Sequence, residues 1–137
     1  MTNIEKVKKL ISEGQFNASD LPVFLGALQE LSGTSEDLQD ELEDTDDVKI
    51  QFDVIDTVKA WIKVEDHKLT AGTGEVDDPD VTLQMTEDTG RGMFTGETDA
   101  ASAYMQGDLK IIGEMAKAMK LRALIEIVAE ELDIEFE

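Results

Sequence analysis

The side chains that most often perform enzymatic chemistry are scarce in this sequence. The chain has no cysteine and one histidine, His67, which stands between Asp66 and Lys68 in a segment typical of a hairpin turn. We therefore expect His67 to be a solvated turn residue. Metal sites built from histidine or cysteine are excluded, and a Ser/His/Asp arrangement would have to recruit this same turn histidine.

Carboxylates are abundant, but their spacing does not define a site. Residues 40–47 lack the glycine-centred pattern of a calcium-binding loop. The Gly90-Arg91-Gly92 segment lacks the lysine and the strong following helix of a phosphate-binding loop. Carboxylate pairs arise by chance in so acidic a chain, and an enzymatic pair, marked by a carboxyl whose pKa burial raises, remains an alternative. We expect no enzyme activity, no cofactor and no metal.

Apolar side chains offer the chemistry of a binding site instead. A lipid site needs apolar walls and a few polar atoms at its mouth, and methionine suits such walls because its flexible thioether adapts to ligands of different shape. Five methionines follow Met1, namely Met85, Met93, Met105, Met115 and Met119. The same residues could fill an ordinary core, and the sequence leaves both roles open.

The charge of the chain limits its partners. It has 32 acidic and 12 basic residues, a formal net charge of −20 and a pI near 4.1. Such a chain repels phosphate backbones and anionic lipid surfaces, so we expect no nucleic-acid partner. The acids are expected to form a solvated, solubilising shell. A salt-rich cell is a sharper explanation, because high salt shortens the range of self-repulsion.

The length of 137 residues suits one domain. Apolar residues at helical spacing predict three helices in residues 1–44, the first ending at Gly14, the second running from Leu21 to Leu31, and the third following a cap at Ser35 or Thr34. Residues 45–137 are predicted to form a sheet and a C-terminal helix. No apolar run is long enough to span a bilayer, and no secretory signal is visible, so we expect a cytoplasmic protein.

Alternating apolar residues predict the sheet. Strands are expected at 48–54, 58–64, 69–72 and 81–85, joined by short connections as in a mainly antiparallel meander. Glycines at 90, 92 and 96 leave room only for short helical turns. A short helix capped by Thr98 and ended by Gly107 is followed by a fifth strand at 109–112 and a long helix at 114–132.

The order of these motifs resembles the sterol carrier protein type 2 family over roughly residues 48–121. The matching features are Trp61 on the second strand, Glu65-Asp66 before the third, Asp80-Val81-Thr82-Leu83 with Met85, and the glycine-bounded strand from Gly107 into the helix that reaches Leu121. The segment Thr86–Phe94 departs from the family pattern, because its glycines replace an acidic helical turn rich in leucine or phenylalanine.

The resemblance implies an α+β fold, with a five-stranded mainly antiparallel sheet and helices on one face enclosing an apolar cavity. It implies non-catalytic binding and transfer of a fatty acid, acyl-CoA, isoprenoid or sterol-like lipid. An alternative is the same fold with a filled core, acting as a protein-interaction or dimerisation module; the oligomeric state stays open. The residues expected to line the cavity are Phe24, Leu28, Leu83, Met93, Phe94, Met105, Ile112, Met115, Met119, Leu121 and Ile125.

The charge excess predicts that stability depends on salt. Self-repulsion among the acids should weaken as ions screen it, so the midpoint of thermal unfolding should rise from low salt to about 1 M KCl, where the Debye length is about 3 Å. Calorimetry across a KCl series measures the midpoint. A flat or falling midpoint would show that the acids serve solubility alone and would remove the support for a salt-rich habitat.

Overall fold

A computed structural model describes residues 3–95, 100–117, 124 and 127 of the chain. A short 3₁₀ turn lies at Ala18–Asp20, between the first two helices. Residues 115–117, 124 and 127 are also helical. The helices are α1 Asn3–Ser12, α2 Leu21–Ser32, α3 Glu36–Glu43, α4 Glu87–Thr95 and α5 Ala100–Gln106. The strands are β1 Val48–Val54, β2 Val58–Glu65, β3 Lys68–Thr73, β4 Val81–Met85 and β5 Leu109–Gly113.

Helix ends predicted from single residues are confirmed. Gly14 and Gly107 follow α1 and α5 with φ of 68° and 86°, a conformation that glycine adopts without the penalty of a Cβ. After α5, Gly107 N donates to Tyr104 O and Asp108 N donates to Ala103 O, the two bonds of a Schellman motif. Ser35 caps α3 by accepting a hydrogen bond from Leu38 N at 3.3 Å.

The sheet is mixed, and its strand order is β3-β2-β1-β4-β5. The prediction of a mainly antiparallel sheet is confirmed for the pairs β1–β2, β2–β3 and β4–β5. The continuous meander is wrong, because β4 returns to lie parallel to β1, with Phe52 opposite Leu83. A parallel neighbour requires a crossover connection. The sequence does not reveal this crossover, because the segment between β3 and β4 is no different in kind from the loop of a hairpin.

The crossover loop, residues 74–80, runs over β2 and β1. Gln51 holds it from β1: the Gln51 side chain donates to Gly74 O at 2.9 Å and accepts from Val76 N at 2.7 Å. The Lys59 ammonium lies 2.9 Å from a Glu75 carboxylate oxygen. The two Gln51 bonds satisfy backbone groups of a loop that would otherwise lie unpaired against the sheet.

Asp80 ends the loop and joins three segments. Its carboxylate accepts from Lys49 N at 2.8 Å, and its own N–H donates to Lys49 O at 2.9 Å, which aligns the start of β4 with β1. Its carbonyl accepts from Glu114 N at 3.2 Å, just past β5. The Lys117 ammonium lies 3.4 Å from the Asp80 carboxylate and 3.1 Å from Glu114.

One face of the sheet, here called the inner face, is apolar and packs against helices. The two-residue period of a strand places alternate side chains on this face; α2 packs on β2 and β3, and α5 lies against β5. The described inner-face residues that are buried are Val48, Ile50, Phe52, Val54, Ala60, Ile62, Val64, Leu69, Val81, Leu83, Met85 and Leu109. Together with the apolar sides of the helices they form a single core cluster.

Helix α4 corrects the prediction that the glycines at 90–96 permit only short turns. It runs through Gly90 and Gly92, although glycine costs about 1 kcal/mol in a helix relative to alanine. A Cβ at Gly90 would lie 3.2 Å from the Met85 sulfur and 3.3 Å from the Ala18 Cβ. The missing side chain therefore lets α4 approach both β4 and the 3₁₀ turn, and this packing offsets the low helix propensity.

Among the described glycines, Gly113 is predicted to be the least tolerant of substitution. It has φ of 114°, and a Cβ there would collide with the Asp80 carbonyl that accepts from Glu114. We expect Gly113→Ala to lower the free energy of unfolding by about 2 to 4 kcal/mol, since both a strained φ and a steric clash result.

Gly107→Ala is the matched control. Gly107 also has positive φ, but a Cβ there meets nothing within 4 Å, so only the backbone strain of about 1 kcal/mol is expected. Urea unfolding of both variants measures the difference between them. Equal losses of stability would show that the contact between Gly113 and Asp80 does not constrain the fold.

Candidate binding site

Four of the residues predicted to line a cavity lie in the core cluster. Phe24 and Leu28 on α2 are 1% and 0% exposed, Leu83 on β4 is 2% exposed, and Met93 on α4 is 5% exposed. Phe24 also packs edge-to-face on Phe16, with ring centroids 6.1 Å apart. The structure thus brings these four predicted residues, from α2, β4 and α4, into one apolar cluster.

Three of the predicted residues lie at the surface instead. Ile112 is 56% exposed and pairs with Thr82 on the side of the sheet away from the helices, because the neighbouring Ile111 takes the inward position opposite Leu83. Met105 on α5 is 85% exposed, and Met115 is 40% exposed. Ile112 is therefore wrong as a wall between sheet and helices, since the strand period turns its side chain outward.

The remaining predicted wall residues are Met119, Leu121, Ile125 and Phe94. Met119, Leu121 and Ile125 lie outside the described residues, and Phe94 belongs to α4 without a described side chain. Two neighbours from the same C-terminal segment do reach the core: Leu124 is fully buried, and Ile127 packs against the cluster.

Several apolar residues of the cluster were not among the predicted wall residues. The inward positions of the strands carry Phe52, Met85 and Ile111, and Leu124 comes from the C-terminal segment. The two-residue alternation of apolar side chains was the signal that could have identified the strand residues.

The cluster is free of buried polar side chains directed into it from the sheet. In the described part of the chain, the buried polar residues are Ser35 and Thr45 at the ends of α3 and Gln51, whose side chain holds the crossover loop. No buried side-chain nitrogen or oxygen among the described residues lacks a hydrogen-bond partner. An apolar molecule would thus meet only carbon and sulfur at these walls, and any polar head would have to face the surface.

A cavity of about 270 Å³ lies on the opposite side of the sheet, here called the outer face. The outer face consists of the strand side chains that point away from the helices. The lining residues are Gln51, Asp53, Lys59, Glu75, Val76, Pro79 and Thr82. Its lining combines polar and charged side chains with the apolar Val76 and Pro79, and the cavity lies between the sheet and the crossover loop.

The two described lysines whose pKa values are shifted, Lys59 and Lys117, form ion pairs at the surface. The hydrogen bond that Lys59 donates to Glu75 is the largest cause that raises the pKa of Lys59, and the hydrogen bond that Lys117 donates to Glu114 does the same for the pKa of Lys117. A raised lysine pKa keeps the amine protonated at neutral pH, which suits an ion pair and not a nucleophile. Among the described residues, no group of three or more His, Asp or Glu side chains is placed to hold a metal ion.

Comparison with known proteins decides the family. The model of the SCP-2 sterol transfer family matches residues 26–126, which span β1 to β5 together with most of α2. The chain belongs to the SCP-2 sterol transfer family.

Solved structures of other proteins share the fold. The sterol carrier protein domain 2 of Helicoverpa armigera superimposes with a TM-score of 0.60 at 23% identity, covering 78% of this chain and 86% of that one. Part of a sec-alkylsulfatase from Pseudomonas sp. superimposes with a TM-score of 0.52 at 21% identity, covering 64% of this chain but 14% of that one. Identities this low establish the fold alone.

A human relative, stomatin-like protein 1, is 40% identical over 63 residues. The match covers 42% of this chain and 16% of the human protein, so the chain spans about one sixth of that relative's length. Within the described residues, no helix is both long and apolar enough to cross a membrane.

Proposed function

We propose that the protein binds a lipid between the inner face of its sheet and its helices and carries it without catalysing a reaction. The observation that carries this proposal is the single apolar cluster of the inner face, which is free of inward polar side chains from the sheet. Membership of the SCP-2 sterol transfer family supports the same function. A fatty-acyl, isoprenoid or sterol-like molecule is the proposed cargo, and the cytoplasm remains the predicted compartment.

The proposed walls are Phe24, Leu28, Leu83 and Met93, with contributions from the C-terminal segment. Leu124 and Ile127 bring that segment to the core, and Met119, Leu121 and Ile125 are proposed to extend the wall from it, as is Phe94 from α4. The exposed Met105 and Met115 are proposed to lie outside the wall.

The cargo's polar head is proposed to lie at the protein surface. No cationic side chain is among the buried residues described, so a carboxylate drawn into the cluster would lose its hydration without a counter-ion. The net charge of −20 would also oppose an anionic head. Lipids with a neutral head should therefore bind at least as tightly as fatty acids of the same length.

A second candidate function is a protein-interaction module with a filled core. The close burial of Phe24, Leu28 and Leu83, each at most 2% exposed, favours it. The two functions differ in what the purified protein carries. Native mass spectrometry followed by solvent extraction distinguishes a protein with stoichiometric lipid from one with none.

A fluorescent long-chain fatty acid should bind with a dissociation constant in the micromolar range, about −8 kcal/mol. An apolar chain that leaves water for the inner-face cluster gains this free energy through burial of its methylene groups. Probe emission measures binding, and an excess of unlabelled fatty alcohol should displace the probe. Trp61 is an unsuitable reporter because it lies on the outer face, opposite Gln51.

The carrier function fails if folded protein gives no displaceable probe signal at saturation. The unfolding midpoint measured on the same sample confirms that the protein is folded. A probe signal that the unlabelled alcohol leaves unchanged would indicate adsorption to the surface and would contradict a defined cavity.

Met93→Trp tests the proposed wall. If Met93 borders a space that accepts ligand, the larger ring occupies that space, so we expect a change of less than about 1 kcal/mol in unfolding free energy and loss of probe binding. In a filled core the same change would overpack the site at a cost of about 1 to 3 kcal/mol.

Met105→Trp is the matched control, because Met105 is also a methionine but is 85% exposed. It should change neither stability nor probe affinity. A Met93→Trp protein that is strongly destabilised, yet binds the probe with unchanged affinity when folded, would remove Met93 from the wall.

A further inference from the structure

The edge strands β3 and β5 differ in how their outward backbone groups are satisfied. On β3, a helix supplies a partner, because Ala71 N–H donates to the Gln29 side chain of α2 at 2.9 Å. Strand β5 lies at the opposite edge and pairs with β4 in the described sheet. Within the described part of the chain, no hydrogen bond reaches the side of β5 that faces away from β4. An edge of this kind is a template for a further strand.

The alternation of backbone groups shows which residues of β5 face outward. Ile55, the residue after β1, donates its N–H to Met85 O at 2.9 Å. Thr82 is out of phase with Met85 on β4, so its backbone groups face β5, where its partner is Ile112. The residues of β5 whose N–H and C=O groups face away from β4 are therefore Leu109, Ile111 and Gly113.

The side chains along this edge form a self-complementary pattern. Lys110 and Ile112 lie on the outer face of β5, and Glu114 follows two residues later. Ile112 is 56% exposed, and the Glu114 side chain is 62% exposed. Lys110 has no ion-pair partner among the described residues. When this segment is turned end to end, its lysine meets its glutamate and its isoleucine meets itself.

The chain around β5 is electrically neutral, although the protein carries a net charge of −20. Residues 100–117 contain two acids, Asp108 and Glu114, and two lysines, Lys110 and Lys117. A second copy that approaches along this edge therefore meets balanced charge. At about 0.15 M salt the Debye length of about 8 Å screens the acids elsewhere, while charges in contact still act.

The charges select one register for two antiparallel copies of β5. Pairing centred on Ile112 places Lys110 opposite Glu114 of the second copy, and two-fold symmetry makes this contact twice. Pairing centred on Ile111 would place Asp108 opposite Glu114 of the second copy, and like charges in cross-strand positions are destabilising. An edge lysine normally prevents pairing with an uncharged strand, so Lys110 favours a strand that carries an acid at the facing position.

We propose that two copies of the chain join through their β5 edges, antiparallel and centred on Ile112, into one continuous sheet. The backbone groups of Ile111 bond to those of Gly113 of the second copy, and symmetry gives about four such hydrogen bonds. Glu114 accepts from Lys110 of the second copy and retains Lys117, because a carboxylate accepts several hydrogen bonds. The dimer does not depend on the proposed lipid binding, since these edge residues are not among the proposed walls.

Sedimentation equilibrium of the full chain tests the association. One short edge makes a small interface, so we expect a monomer–dimer equilibrium with a dissociation constant between about 10 µM and 1 mM at about 0.15 M salt. Lys110→Glu and Glu114→Lys should each weaken it by about tenfold or more, because each places like charges opposite each other. Lys8→Glu is the matched control: it makes the same change in net charge as Lys110→Glu at an exposed position of α1, and should weaken association less than about twofold.

An equimolar mixture of Lys110→Glu and Glu114→Lys is the sharper test. The first variant keeps Glu114 and the second keeps Lys110, so every facing pair in a mixed dimer has opposite charges. The mixture should therefore associate within about threefold of the wild-type affinity, although each variant alone is much weaker. A fluorescent label on one variant reports the mixed dimer, and the thermal unfolding midpoint of each variant confirms that it is folded.

A single cysteine tests the register. The chain has no cysteine, so Ile112→Cys introduces one thiol. In the proposed register position 112 faces its own copy as a non-hydrogen-bonded pair, whose Cα atoms lie about 4.5 Å apart, within the range that a disulfide spans. Oxidation in air should link Ile112→Cys into a covalent dimer at least about tenfold faster than Lys8→Cys.

Three outcomes would overturn the proposal. They are a wild-type protein that stays monomeric up to about 1 mM, a mixture that associates no more tightly than either variant alone, or equal cross-linking of Ile112→Cys and Lys8→Cys. A monomer at this concentration would leave the edge to a strand of another protein or to none. Failure of the fatty-acid probe would remove the lipid function and leave the dimer intact, because the probe and the sedimentation experiment measure separate properties.

Discussion

The parallel pairing of β1 with β4 is the constraint on which the rest of the structure depends. It is aligned at one end by Asp80, which exchanges hydrogen bonds with the Lys49 backbone through both its carboxylate and its own N–H. A parallel neighbour forces the chain to cross the sheet between β3 and β4. The crossing places residues 74–80 on the outer face and leaves the inner face to the helices. The Asp80 carbonyl also accepts a hydrogen bond from Glu114 N, so the same residue fixes the start of the C-terminal segment.

The crossing gives the two faces of the sheet different chemistry. The inner face buries its side chains against helices, and each large apolar side chain buried there contributes about 1.5 to 3 kcal/mol relative to exposure. The outer face keeps lysines and Trp61 at the surface beneath a loop anchored by Gln51. A ligand on the inner face is therefore separated from the outer face by the thickness of one sheet.

The two edge strands of the sheet, β3 and β5, also differ in their surroundings. On β3, the Ala71 N–H donates to the Gln29 side chain of α2 at 2.9 Å, so a helix side chain satisfies an edge group that could otherwise pair with another chain. On β5, the described surface includes the exposed Ile112 and Lys110.

Glycines allow helices to pack closely at two places. A Cβ at Gly26 would collide with Asn3, where α1 meets α2, and Gly90 allows α4 to contact Met85.

Local pattern alone determined much of this protein. Apolar spacing predicted α1, α2, α3 and the five strands, and single residues such as Gly107 and Ser35 marked helix ends, because capping and strand alternation depend on neighbours within a few positions. Family motifs from Trp61 to Leu121 predicted the α+β class. Phe24, Leu28, Leu83 and Met93 were identified as apolar residues that the fold brings together.

Tertiary structure alone decided the rest. The return of β4 to β1 depends on hydrogen bonds that Asp80 and Gln51 make to residues 25 to 31 positions away. Such long-range bonds produce no periodic pattern in the sequence. Helix α4 forms because Gly90 meets Met85 and Ala18, a contact that intrinsic propensity opposes. Ile112 and Ile111 are equally apolar, and only the register with β4 turns one outward and the other to the core. The lysines of the outer face are scattered through the sequence from 49 to 110, and pairing of the strands is what gathers them, because a sheet places on one face residues that the chain itself keeps far apart.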